Sequence, residues 1–168
     1  MKNILIGAIS YLALIPGIIS AQTLKFGHID FQMVLLKMPE KISADSALSK
    51  MTAEFQTELT KMQKNLTDKS KEYMSQQNTL TDAVRASKEA ELNSLNRIVQ
   101  NFPQQAQENI SKEETRLIQP VVEKLRKTIS DVAKERGLLY VFDINNLIYH
   151  SEQSIDITDP VKAKLGIK

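Results

Sequence analysis

Hydrophobic residues recur through the middle of the chain at alternating steps of three and four. Leu59, Leu66, Tyr73 and Leu80 fall seven residues apart, and Leu48, Phe55 and Met62 form a second series offset by four. Interleaved, the two series are the seam of a coiled coil. Lys69 and Gln76 occupy the next two places of the second series, so packing is expected to loosen toward the far end of this helix. A further stripe runs through Leu95, Val99, Phe102, Ala106, Ile110, Leu117, Val121, Leu125, Ile129 and Val132. Each stripe is too narrow to fold alone, and the economical arrangement has them cover each other. A reversal near residues 78–83 would make them an antiparallel hairpin. Asn78, Thr79, Thr81 and Asp82 are capping residues there, although neither Gly nor Pro marks the bend. An unbroken rod is the competing arrangement. A helix of ~40 residues is about 60 Å long, so a hairpin of that reach must protrude from something. Pro103 and Pro120 each remove one helical hydrogen bond and predict kinks rather than breaks, because the stripe continues past both. Gly137, after Lys134 and Arg136, is a natural end to the returning helix.

Outside this region the spacing changes. Leu24 to Phe31 alternates as a short strand, with Leu24, Phe26 and His28 on one face and Lys25, Gly27 and Ile29 on the other. Phe31 to Met38 has helical spacing and stops at Pro39. Leu138 to Phe142 reads as a strand too apolar for a wet face, Asp143 to Asn146 as a turn, and Leu147 to His150 as a second strand completing a hairpin. Thr158, Asp159 and Pro160 give the N-cap and first turn of a final short helix. Three strands of about 17 residues in total cannot enclose a core. Phe26, Ile29, Leu139, Val141, Phe142, Leu147 and Tyr149 nevertheless need burial, which predicts a body shared between several copies of the chain.

The expected fold is therefore mainly α with a small β body. A long antiparallel helical hairpin, a coiled-coil arm, protrudes from a strand-built oligomerisation body. Leu48, Phe55, Leu59, Met62, Leu66, Tyr73 and Leu80 line the outgoing side of the arm seam, and Leu95, Val99 and Phe102 the returning side. Residues 22–45 belong to the body and 46–114 to the arm, with its tip near 78–83. Residues 115–168 supply the end of the returning helix, the body strands and the tail.

Composition narrows the function. The 168 residues include no Cys and no Trp, only five Gly and five Pro, and 5% aromatics. That balance is long-helical, and it excludes disulfides, thiolate metal sites and a cysteine nucleophile. Twenty-two Lys and Arg against 20 Asp and Glu leave +2, too near neutrality for a nucleic-acid binder. No basic amphipathic face suggests a membrane-surface protein either. At the start, Lys2 precedes an apolar run from Ile4 to Ile19 and the small residues Ser20 and Ala21. This is the order of a secretory signal peptide over residues 1–21, cleaved after Ala21. The run of about 16 is short of the ~20 that span a bilayer; an uncleaved anchor is the alternative. The mature chain would begin near Gln22 outside the cytoplasm, with no stable membrane insertion. His28 and His150 are the only histidines, and no nucleophile motif, phosphate loop or metal-ligand spacing accompanies them. Neither an enzyme nor a cofactor is expected. Asp30 and Asp143 close their strands and read as turn and cap groups at the join of body and arm.

The stretch KFGHIDFQMVL, the heptad region, the join ISDVAKERGLLYVFDINNLIY and the terminal DITDPVKAKLGIK together resemble the Skp/OmpH-like periplasmic chaperones. The resemblance covers essentially the whole chain, and Leu138 to Tyr149 followed by Asp156-Ile157-Thr158 is its most specific part. It implies a homotrimer whose three arms surround a cavity. Unfolded outer-membrane β-barrel proteins are held there without ATP. Many weak contacts would then add by effective concentration, and Met33, Met38, Met51, Met62 and Met74 suit varied clients, although Met51 and Met62 also fit simple seam packing. A secreted structural or adaptor coiled coil of the cell envelope is the alternative. One departure stands out. Better-known relatives have markedly basic arms, whereas residues 61–100 here carry seven Lys and Arg against five Asp and Glu, and residues 93–109 are rich in Asn and Gln. Weaker electrostatic steering follows, and lipopolysaccharide binding is put in doubt.

Overall fold

The computed structural model describes residues 24–167; the signal-peptide expectation for residues 1–21 falls outside them. The chain opens with strand β1 (Phe26–Ile29) and helix α1 (Phe31–Lys37), then runs into α2 (Pro39–Gln76) and α3 (Asp82–Glu135). Strand β2 (Tyr140–Asp143), a single 3-10 turn (Ile144–Asn146), strand β3 (Ile155–Asp156) and helix α4 (Thr158–Leu165) complete it. Helices α2 and α3 form the long pair; the rest is a small body around the root of that pair.

Local chemistry sets most boundaries. The Asp30 carboxylate accepts from the Met33 amide at 2.9 Å and so caps α1. Pro39 is the first residue of α2, where its missing N–H leaves no helical bond unmade. Between Gln76 and Asp82 the chain reverses through a turn in which both the amide and the hydroxyl of Thr79 donate to the Gln76 carbonyl at 2.8 Å. α3 runs unbroken through Pro103 and Pro120. It ends on Gly137 at φ +64°, with the Leu138 amide donating to the Ala133 carbonyl at 2.9 Å and the Gly137 amide to Lys134 at 3.1 Å. That left-handed residue closes the helix as its position in the sequence anticipates.

The sheet differs from the expected hairpin. Its order is β2-β1-β3, and both pairings are parallel, with Phe26 opposite Tyr140 and His28 opposite both Phe142 and Asp156. A strand leaving a parallel pair must travel back along the sheet before it can pair again, which a tight turn cannot accomplish. Leu147 to His150 is spent on that return and is not a strand; the third strand is Ile155–Asp156. A second correction concerns Thr158. It is the first helical residue of α4 rather than its cap, and the Asp156 carboxylate accepts from its amide at 2.8 Å. A third is that Leu138 to Phe142 is not covered on both sides by its own chain: Leu139, Tyr140 and Phe142 are exposed.

The core is helical as much as β. Ile29 meets Val34, Leu35 and Met38 of the α1 region, Val121, Leu125 and Val132 of α3, and Ile157 and Val161 at the start of α4. Gly27 belongs to this packed side, because a Cβ there would come within 2.6 Å of Leu138 Cδ1. One face of the sheet is thus sealed within a single chain. The other is not.

Candidate functional site: an arm and an open sheet face

Two small residues are buried along the arm: Ala44, beside Leu117 and Val121, and Ala106, beside Phe55 and Leu59. Every seam residue expected from the heptads, Leu48, Phe55, Leu59, Met62, Leu66, Tyr73, Leu80, Leu95, Val99 and Phe102, is half-buried. Phe55 and Phe102 meet edge to face at 5.9 Å between ring centres, an arrangement worth about 0.5–1.5 kcal/mol beyond the area it covers. A half-buried seam is what two helices alone can provide: each residue covers its partner on one side and faces water on the other.

Toward the tip the seam changes chemistry. Lys69, in a heptad place, pairs with Glu91 across the hairpin, Tyr73 donates its hydroxyl to Glu89, and Lys88 lies 3.5 Å from Glu72. The Lys69 ammonium holds the Glu91 carboxyl below its ordinary range, and Glu91 in turn raises Lys69. Hydrogen bonding to Glu89 pushes the Tyr73 phenol up. At the root a corresponding pair, Lys124 and Glu40, lowers the Glu40 carboxyl, first through their hydrogen bond. The heptad pattern located Lys69 as a weak point; the pairing that replaces apolar contact needed the partner helix in view.

In the body, the residues expected to need burial divide. Ile29 is in the core, and Val141 and Leu147 are half-buried. Phe26, Leu139, Phe142 and Tyr149 are exposed, Tyr149 to 79%. Phe26 stacks on Tyr140 at 6.2 Å and Tyr140 on Phe142 at 6.1 Å, making an aromatic ladder along the unsealed face. His28 shares that face but is buried, because the returning connector crosses it. His150 lies over His28 at 4.5 Å between ring centres, and the Ser154 hydroxyl is 2.8 Å from His28 Nδ1. His28 Nε2 stands 4.0 Å from Asp156, beyond hydrogen-bond length. A Ser, a His and an Asp meet here, yet His28 is only 6% exposed, so the group ties the connector to the sheet and offers no surface to a substrate. Burial pushes the Asp156 carboxyl up, but hydrogen bonds from Thr158, with His28 and His150 nearby, outweigh it and leave the carboxyl below its usual range.

Asp30 and Asp143 hold the body together as expected. Besides capping α1, Asp30 donates its amide to Thr158 Oγ1 at 3.1 Å and accepts from Asn145 Nδ2 at 3.0 Å. Asp143 accepts from the Asn145 amide at 3.2 Å and from both Asn145 and Asn146 side chains at 3.3 Å. β1, α1, the 3-10 turn and α4 are therefore joined at one polar knot, and the Asp156-Ile157-Thr158 run contributes in succession an acceptor for the Thr158 amide, a core residue and an acceptor for the Asp30 amide. Ile157 and Val161 were not singled out as core positions; with Leu165 they recur every four residues, a helical stripe that could have found them.

An arm of two helices on a small body with parallel strands defines a class, and the comparisons agree with it. The family profile "OmpH: Outer membrane protein (OmpH-like)" matches residues 25–165. The chain belongs to the OmpH-like family. Among solved structures it is similar to an OmpH-like protein of Caulobacter crescentus proposed to be an outer membrane chaperone. Identity to that protein is 18% and the TM-score 0.74, over 85% of this chain and 84% of that one. At this identity the likeness concerns the fold. No curated protein matches the chain in sequence. Among the described residues, no helix is long and apolar enough to cross a membrane.

Proposed function

We propose that the protein is a periplasmic holdase chaperone. It binds unfolded outer-membrane β-barrel proteins between the arms of a homotrimer, without ATP or any other cofactor. The observation that carries this reading is an arm about 57 Å long, sealed only by a half-buried seam, on a body whose aromatic sheet face its own chain leaves open. Membership of the OmpH-like family supports it. An isolated three-stranded sheet with one bare aromatic face favours association of copies, and association gathers several arms around one space. A β-barrel precursor alternates apolar and polar residues and aggregates through its unpaired edges. Weak contacts from several arms can hold it through effective concentration without any strong individual site.

The test is suppression of aggregation. An outer-membrane barrel protein diluted from urea scatters light as it aggregates. The purified chain is expected to abolish that scattering near one trimer per client, with no nucleotide added. Scattering that is unchanged at several-fold excess of the chain overturns the chaperone reading and leaves an envelope spacer or adaptor.

A further inference from the structure

The connector, residues 147–154, crosses the unsealed face of the sheet with little to hold it. Among the described residues, no backbone hydrogen bond engages Ile148, Tyr149 or His150. Among the same residues, one hydrogen bond joins the connector to the sheet, between the Ser154 hydroxyl and His28 Nδ1 at 2.8 Å. The other attachment is the His150 ring, which lies over the His28 ring at 4.5 Å with a tilt of 31°. Ile148 and Tyr149 stand out in water and anchor nothing. Two imidazoles therefore hold the connector down.

The charges around this pair are unevenly placed. In the sheet, His28 lies between Phe142 of β2 and Asp156 of β3. Tyr140 is the further titratable side chain of β2 on that face, and Glu152 follows His150 by two residues on the connector, exposed to water. Asp30 and Asp143 are held in the polar knot beyond the strand ends, and α1, α3 and α4 pack against the opposite face. Asp156 Oδ1 is committed to the Thr158 amide at 2.8 Å, while Oδ2 stands 4.0 Å from His28 Nε2. Burial raises this carboxyl, but hydrogen bonds from Thr158 keep it below its usual range, so it stays ionised where histidines ordinarily charge.

We propose that His28 and His150 form a pH-sensitive latch: neutral rings stack and pin the connector to the sheet, and protonation of both releases it. One charge is tolerated. Asp156 balances it, a charged ring still lies well against a neutral one, and the Ser154 hydroxyl accepts from Nδ1 as readily as it donates to it. Two charges are not. They would sit 4.5 Å apart, one on a ring only 6% exposed, facing a single carboxylate already shared with α4. The pinned state thus holds fewer protons than the released state, so release is favoured as pH falls. Histidine ordinarily changes charge between about pH 5 and 8, which places the opening in mild acid. The latch belongs to the single chain and stands apart from the function proposed above.

The test is NMR of the full chain from about pH 7.5 to about pH 5, reading backbone order and the two imidazoles in the same samples. Order parameters of residues 148–153 should fall from about 0.85 to below about 0.6 as the rings charge, while those of the arm root stay level. His150→Phe keeps a ring over His28 that cannot charge, and its connector should remain ordered throughout. His150 is exposed, so this variant is expected to fold, which far-UV circular dichroism checks. A wild-type connector already loose near neutrality overturns the latch, and so does one that loosens equally in His150→Phe. The wild-type rings give a reading that needs no variant: if both finish charging while residues 148–153 stay ordered, the latch is overturned as well.

Discussion

The two halves of the arm are held shut by different forces. Near the root, Ala44, Leu48, Phe55, Phe102 and Ala106 close the gap with apolar surface and an aromatic pair. Near the tip, Lys69 with Glu91, Tyr73 with Glu89 and Lys88 with Glu72 do the work, all at least partly in water. Apolar closure is insensitive to salt and roughly additive in area. Exposed ion pairs contribute little, and their attraction is screened. One continuous hairpin thus has a firm root and a compliant tip.

The contrast can be broken most sharply at the root. Phe102→Ala removes half of the Phe55 pair, and a loss of about 2 kcal/mol in urea unfolding is expected; a loss under about 0.5 kcal/mol would show that the seam is not what closes the root. Next comes Pro103→Ala. It restores the helical hydrogen bond that proline denies to the carbonyl of Val99 and should stabilise the chain by about 1–2 kcal/mol. The smallest effect belongs to the tip. Raising salt to about 1 M, where the screening length is ~3 Å, should lower hydrogen-exchange protection around residues 69–91 and leave the root unchanged. Acidity and alkalinity act on the same region from opposite sides. Glu91 titrates below its ordinary 4.5 in the folded arm, so its contribution is present above that value and is lost as pH falls through the lower one. Tyr73 and Lys69 titrate above their ordinary 10.0 and 10.5, so theirs is present below those values and is lost as pH rises through the higher ones. Protection factors at the tip should therefore plateau at intermediate pH and drop at both ends.

The arm was legible because its information is local. Heptads, Pro39, the capping residues before Asp82 and Gly137 each act over a few residues, and each sits in the structure where the sequence puts it. The body was legible only in part. Ile148 and Tyr149 have the composition of a strand, but a strand exists only where another backbone accepts it, and the parallel topology carried that stretch past its own sheet. The apolar demand of Phe26, Phe142 and Tyr149 was readable; that Val34, Leu125, Ile157 and Val161 would seal the opposite face required knowing that α4 folds back over β1. Ile157 rather than Thr158 is the N-cap of α4, and Asp156 accepts from the first helical amide because pairing with β1 brings it to the end of a strand, a constraint absent from the local residues.

The parallel pairing of Phe26 with Tyr140 has a consequence for how the molecule comes into being. The first strand precedes the one it must lie beside by more than a hundred residues. Closing so long a loop at random is slow, but zipping of α2 onto α3 from the bend backwards brings the two ends together in steps, each spanning only a short distance. The hairpin is thus the clasp that lets the head form, and a damaged bend should delay maturation of a region tens of ångströms away.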